Sequence, residues 1–265
     1  FTKLDFSEKT FRTEAGAVLG EYRRGASQPT ELMEETLFAM LFADHPYGHT
    51  TIGFLDDVVK MPEGFDAAKR FYDTYYRPNN TVIVVAGDVK AGAVFPKIEQ
   101  RYKAWAPQAI PTVPVKPPEQ KAELRGHVPW DADVAPLAWV AYRMPAFKPA
   151  SQEGAVAQVL SELLVSQAAP LFKTLRYEKQ TVSGLGFHEG SQGFESFDPR
   201  LLIVGSQLYK EQLAAKGRPY FDAVIGDVVA GVEELKSFSK QPSAAELLKT
   251  VKDRYRYDFL AGLSS

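Results

Sequence analysis

Glu14 and Glu21 stand seven residues apart within Thr10 to Arg24, a stretch whose pattern predicts a helix. Seven residues are about two turns, so both carboxylates fall on one face. On spacing alone the pair reads as two solvated acids, with Arg23 and Arg24 close by. His45 and His49 have an HxxxH spacing, which brings two imidazoles to one metal only on a helix. Pro46 and Gly48 lie between them and oppose helix, and no glutamate follows His45. His45-Pro46-Tyr47-Gly48 therefore reads as a turn. Arg176 in LFKTLRYEKQTVSG is, by itself, a helix-end cation. Ser183-Gly184-Leu185-Gly186 is neither a nucleophile elbow nor a phosphate loop, and its glycines are expected to accommodate a bend in a strand. Asn79-Asn80-Thr81 fits a glycosylation sequon, a weak pattern given that Thr81 opens an apolar run.

The elements that would position these groups follow from periodicity. Helices are predicted at Thr10 to Arg24, at Thr30 to Phe42 behind Pro29, at Asp56 to Val59 and at Phe65 to Tyr76. Arg77-Pro78-Asn79-Asn80 stops the last of these, because the residue before proline is pushed out of helix and asparagine tolerates turns. Thr81 to Ala86 is expected to be a buried strand, ended by Gly87-Asp88, with a helix at Ala91 to Trp105. Further on, strands are predicted at Leu137 to Tyr142, Val182 to His188 and Leu201 to Leu208, the last two as neighbours in one sheet. Helices are predicted at Ser151 to Ser166 with a serine cap, Leu171 to Lys179, Pro219 to Leu235 and Ser243 to Phe259. Helices gathered on a mostly antiparallel sheet make an α+β sandwich.

Pro107, Pro111, Pro114, Pro117 and Pro118 exclude helix and central strand, so residues 107–122 read as an extended linker. Residues 1–106 and 123–265 are then two domains. The 265 residues suffice for either one or two domains, and the net charge of -2 offers nothing to nucleic acid or an anionic membrane. No apolar run is long enough to span a bilayer. The chain has no cysteine, which excludes disulfides, thiolate zinc sites and thiol nucleophiles. Phe1 is no initiator methionine and Ser265 follows a helical pattern without a stop, so both ends are expected to be cuts.

The runs FRTEAGAVLGEYRRG, HPYGHTTIG and FYDTYYRPNNTVIVVAGD resemble, in order and spacing, the M16 zinc peptidases (pitrilysin, insulin-degrading enzyme, mitochondrial processing peptidase). The resemblance is specific from Phe11 to Asp88 and looser from Leu137 to Phe259. It implies two M16-type, metallohydrolase-like α/β sandwich domains, the first truncated at its N-terminus and the second at its C-terminus. In that family an HxxEH helix supplies two histidine ligands and a general-base glutamate. Glu21 resembles the third zinc ligand and Glu14 the supporting carboxylate. Zinc so held leaves a position for water and lowers its pKa for attack on a peptide carbonyl.

The chain departs from the family at that point, because it has no HxxEH. Active members also carry an arginine and a tyrosine seven apart that hydrogen-bond the substrate carbonyl. Arg176 matches the first, but position 183 is serine, which implies that this second domain is not the substrate-clamping one and that another half or a partner provides the clamp. The resemblance therefore implies a fragment of a zinc endopeptidase, inactive in isolation, with Zn²⁺ in the complete protein and none bound by this piece. Its partners would be an extended peptide and a second M16-type half or homologous subunit. The alternative is a non-catalytic homologue that binds peptide or scaffolds a complex. An unrelated α+β binding domain would require the motif order to be accidental. Resemblance and the absent cysteine point to the bacterial periplasm or secretion.

Overall fold

The computed structural model describes residues 7–112, 114–115, 120–146, 148, 151–188 and 200–263. It divides into two compact units, Phe1–Val128 and Pro129–Ser265.

In the first unit, α1 (Glu8–Gly25) starts where Ser7 Oγ accepts the Thr10 backbone N–H at 3.2 Å, satisfying one of the orphan donors of the first turn. The helix buries Ala15 and Tyr22, and the Tyr22 hydroxyl donates to the Glu35 carboxylate at 3.1 and 3.2 Å on the next helix. That helix, α2 (Pro29–Leu41), has proline in its first turn, where the missing N–H is not needed. Phe38, Leu41 and Phe42 are buried at its end, and the Phe42 ring meets Tyr47 edge-on with centroids 5.8 Å apart. Fully burying Phe38 and Phe42 stabilises the unit by about 1.5–3 kcal/mol each. Helices α3 (Leu55–Lys60) and α4 (Phe65–Tyr75) pack against α1, with Phe11 and Phe65 edge to face at 5.8 Å. The α5 helix (Ala91–Tyr102) follows.

The buried strand expected at Thr81 to Ala86 is not found. No strand occurs among the described residues of this unit, and Val82 and Val84 are 86% and 83% exposed. Val82 to Ala86 is apolar enough for a central strand, but a strand is completed by its ladder, and no described segment pairs with it.

The second unit holds a three-stranded antiparallel sheet, β1 (Leu137–Met144), β2 (Val182–His188) and β3 (Arg200–Leu208), in the order β1-β3-β2. Trp139 lies opposite Gly205 in the register, and a Cβ at that glycine would stand 3.3 Å from the indole nitrogen. Gly205 thus leaves room for the indole. One sheet face, with Ala138, Leu202, Val204 and Leu208, packs against Leu164 and Val165 of α6 (Glu153–Val165) and Tyr220, Val224 and Val228 of a long helix further on. The predicted serine cap of α6 is displaced: Ser151 Oγ accepts the Glu153 N–H at 3.3 Å, while Gln152 takes the cap position.

After α6 the chain forms α7 (Pro170–Lys173), a π-helical turn at Thr174–Glu178, then β2, β3, α8 (Lys210–Lys216), α9 (Arg218–Glu234) and α10 (Ala244–Gly262). Leu247 and Val251 of α10 pack on Leu163 of α6 as a second layer. Among the described residues one stretch, Glu153–Glu178, is long and apolar enough to pass for a membrane span by length and composition. Extended backbone at Ser166 and Ala169 breaks it into separate helices, and Leu163, Leu164 and Leu175 are buried in the protein core.

Candidate functional site

Both glutamates singled out in the sequence lie on α1, and both are exposed. Helical geometry puts them on one face, about 10 Å apart along the axis. Among the described residues neither takes a hydrogen bond or an ion pair, whereas Glu8 of the same helix receives Arg12 at 2.8 Å. The buried residues Ala15 and Tyr22 follow each glutamate by one position, so the core fixes the helix face that Glu14 and Glu21 present.

A tetrahedral zinc centre needs three protein ligands around an open position. Of that donor set α1 offers carboxylates only. Among the described residues no group of three or more metal-ligating side chains is close enough to hold an ion. The donors fit zinc in part, and no catalytic step can be written through the metal with this chain alone.

His45 and His49 flank a 3₁₀ turn, Pro46–Gly48, with extended backbone at both ends. His45 is buried, and its Nδ1 accepts the Tyr47 N–H at 3.0 Å. His49 Nδ1 meets its neighbour's carbonyl, Thr50 O, at 2.8 Å. The two rings are thus tied to their own turn. Gly48 is required there, since a Cβ would lie 2.5 Å from the Phe42 carbonyl oxygen. The Pro78-Asn79-Asn80 turn is likewise architectural. Asn79 exchanges two hydrogen bonds with the Gln108 backbone, at 2.8 and 3.2 Å, and Asn80 donates to Tyr75 O at 2.9 Å.

Arg176 lies in the π-helical turn, where Lys179 N–H reaches Thr174 O at 2.8 Å. It is half-buried, and Nη1 donates to the Tyr209 phenol oxygen at 2.5 Å. The Tyr209 backbone N–H donates to the Tyr220 hydroxyl at 3.1 Å, and that hydroxyl donates to Thr181 O at 2.5 Å. Burial pushes the Tyr220 phenol above its ordinary pKa. Ser183 sits at a register shift between Val182 and Gly184, its Oγ donating to Gln207 O at 3.2 Å. Gly184 therefore borders a bulge, in line with the expected bend. Tyr209 was not legible as a partner for Arg176, because it lies far along the chain and only the antiparallel pairing of β2 with β3 brings it near.

This α+β arrangement, with helices on one face of a small antiparallel sheet, is shared with known peptidases. The pattern of the Peptidase M16 inactive domain matches residues 65–252, and the chain belongs to this family. The zinc protease PqqE of Helicobacter pylori is 28% identical over 270 residues, covering 99% of this chain and 56% of that protein. The crystal structure of a protease from Helicobacter pylori superposes with a TM-score of 0.75 at 26% identity, over 98% of this chain and 59% of that one. The periplasmic protease PqqL from Escherichia coli shares the fold, with a TM-score of 0.61 at 17% identity, over 97% of this chain and 27% of that one. The chain thus spans little more than half the length of the Helicobacter relative.

Proposed function

We propose that this chain is part of a zinc-dependent endopeptidase that cleaves extended peptides, and that it is inactive in isolation. Glu21 is the third zinc ligand, Glu14 the carboxylate that orients it, and two histidines and a general base come from outside this sequence. The observation that carries the reading is the pair of exposed glutamates on one face of α1, neither engaged by another side chain among the described residues, in a chain of the M16 family. The second unit is a second M16-type domain whose Arg176 is a hydrogen-bond donor, and another half or subunit supplies the substrate clamp. Strands β1 and β2 are the sheet's edges, where an extended peptide can add through backbone hydrogen bonds. A second half or homologous subunit completes the enclosure, which agrees with coverage of 56% of the Helicobacter relative. The periplasmic origin of PqqL supports an exported location.

One observation favours the non-catalytic alternative: the family pattern matched over residues 65–252 is that of the Peptidase M16 inactive domain. Zinc content and hydrolysis of an unstructured peptide decide between the two when measured on the complete protein. The catalytic reading expects about one zinc per chain. It also expects loss of zinc and activity in Glu21→Gln, and zinc affinity weakened about 10–100-fold in Glu14→Gln. A complete protein that binds no zinc belongs to the non-catalytic branch. The 265-residue chain is expected to leave the peptide intact even with zinc added.

A further inference from the structure

The proline-rich stretch leaves from the first unit and returns to it. At its start Asn79 Nδ2 donates to Gln108 O at 2.8 Å, and Asn79 Oδ1 accepts the Gln108 N–H at 3.2 Å. Past its end Gly126 lies against α2. A Cβ at that glycine would stand 2.7 Å from Met40 Sδ and 3.5 Å from Thr36 Cγ2, so only a residue without a side chain lets the backbone come this close. Asn79, Met40 and Thr36 all belong to the first unit, which runs to Val128. A linker between two domains has its ends on different bodies. Here both ends are held by one body.

The second unit takes hold of the chain a few residues later. The Val134 N–H donates to Ala132 O at 2.9 Å, and Asp133 pairs with Lys210 at the start of α8. The Leu208 N–H donates to Pro136 O at 2.9 Å, which carries the pairing of β1 with β3 back to Pro136. Between these holds stand His127, Val128, Pro129, Trp130 and Asp131. Among the described residues these five take part in no hydrogen bond or ion pair, and His127, Pro129 and Asp131 are exposed. Pro129 has no N–H to give and disfavours helix at Val128. A short run of this kind, between segments that are tied down, is where a change in backbone angles can be absorbed.

We propose that His127–Asp131 is the hinge on which the two units move, and that the proline-rich stretch is a strap of the first unit rather than the linker its composition suggests. The stiffness of its prolines then braces the first unit between Asn79 and α2. It does not set the reach of one unit from the other.

Two readouts on the full chain test it. The chain has no cysteine, so Gly16→Cys with Gly226→Cys provides two spin-label sites, on α1 and α9, each where a Cβ meets open space. The width of the label-to-label distance distribution, from double electron–electron resonance, is expected to rise about twofold in Pro129→Gly, which frees the hinge backbone. Pro111→Gly with Pro114→Gly is expected to leave the width within about a tenth of its starting value. Removing both anchors, with Asn79→Ala and Met40→Ala, turns the strap into linker, and the same proline replacements are then expected to widen the distribution. The second readout is amide hydrogen exchange by NMR. The Gln108 amide is expected to exchange about tenfold more slowly than those of Val128, Trp130 and Asp131, and to lose that protection in Asn79→Ala. Equal widening by the Pro111 and Pro114 replacements and by Pro129→Gly would return the linker to the proline-rich stretch. A width that Pro129→Gly leaves unchanged overturns the hinge, as do amides of Val128, Trp130 and Asp131 that are as protected as that of Gln108.

Discussion

At the scale of single residues the protein shows two uses of buried tyrosine. Tyr22 ties α1 to α2 through Glu35, and Tyr220 ties the β3–α8 junction to the residue before β2 through one hydroxyl that both accepts and donates. Burial and then the Glu35 hydrogen bond raise the Tyr22 phenol above its ordinary value, and burial does the same for Tyr220. A folded state that keeps these protons more tightly than the unfolded chain has that stabilisation in full below the ordinary phenol value. It loses it as pH rises through the folded value. Stability measured by urea unfolding is therefore expected to decline above about pH 10. Tyr22→Phe and Tyr220→Phe should each flatten that alkaline limb, and a limb unchanged in both variants would remove the tyrosines as its cause. At neutral pH Tyr220→Phe leaves the Tyr209 N–H and Thr181 O without their shared partner, a loss of about 1–3 kcal/mol. Leu175 is fully buried in the π turn, and Leu175→Ala should cost about 2–5 kcal/mol through the cavity it leaves. Both are read from the urea midpoint at constant slope.

At the scale of elements, boundaries follow local chemistry where local chemistry is decisive. Ser7 caps α1, Pro29 opens α2, and Arg77-Pro78 ends α4 within a residue or two of the expected points. The π turn was not foreseen, because Leu171 to Lys179 has an ordinary helical pattern and the widening is set by how the segment meets β2 and α9. Gly48→Ala is expected to destabilise the first unit, since the Phe42 carbonyl backbone would have to move. Thermal unfolding checks it, with Gly16→Ala on the exposed side of α1 as a control that meets open space. The Thr81–Ala86 segment carries its own expectation. A run of high β-propensity without charge or proline, left exposed, templates aggregation. Val82→Lys with Val84→Lys should lower concentration-dependent light scattering of this chain, and scattering that stays the same would assign association to another surface.

At the scale of the whole molecule the two compact units meet in sequence at Val128 and Pro129, just after the proline-rich stretch. The second unit contains a continuous core of its own, from Ala138 to Val228, with α10 packed behind α6. Residues 129–265 are therefore expected to fold alone and to unfold in one cooperative transition. Circular dichroism of that piece against denaturant checks it, and a gradual, sloping loss of signal would show that its core is incomplete. Among the described residues the first unit buries fewer large side chains and leaves Val82 and Val84 to solvent, so its transition should come at lower denaturant.

The sequence by itself determined most of the helices, though not α8 or the π turn, together with the three strands of the second unit and the family. Periodicity, caps and prolines act over a few residues, and the motif order from Phe11 to Asp88 survives without any contact being known. It also singled out Glu14 and Glu21, whose spacing on a helix is a local property, and Arg176 through the family resemblance. Only the tertiary structure decided that Thr81 to Ala86 has no ladder among the described residues, since pairing depends on segments distant in sequence. It alone decided that Arg176 meets Tyr209. An antiparallel register brings together the two ends of β2 and β3, and no local pattern encodes which side chains then face each other.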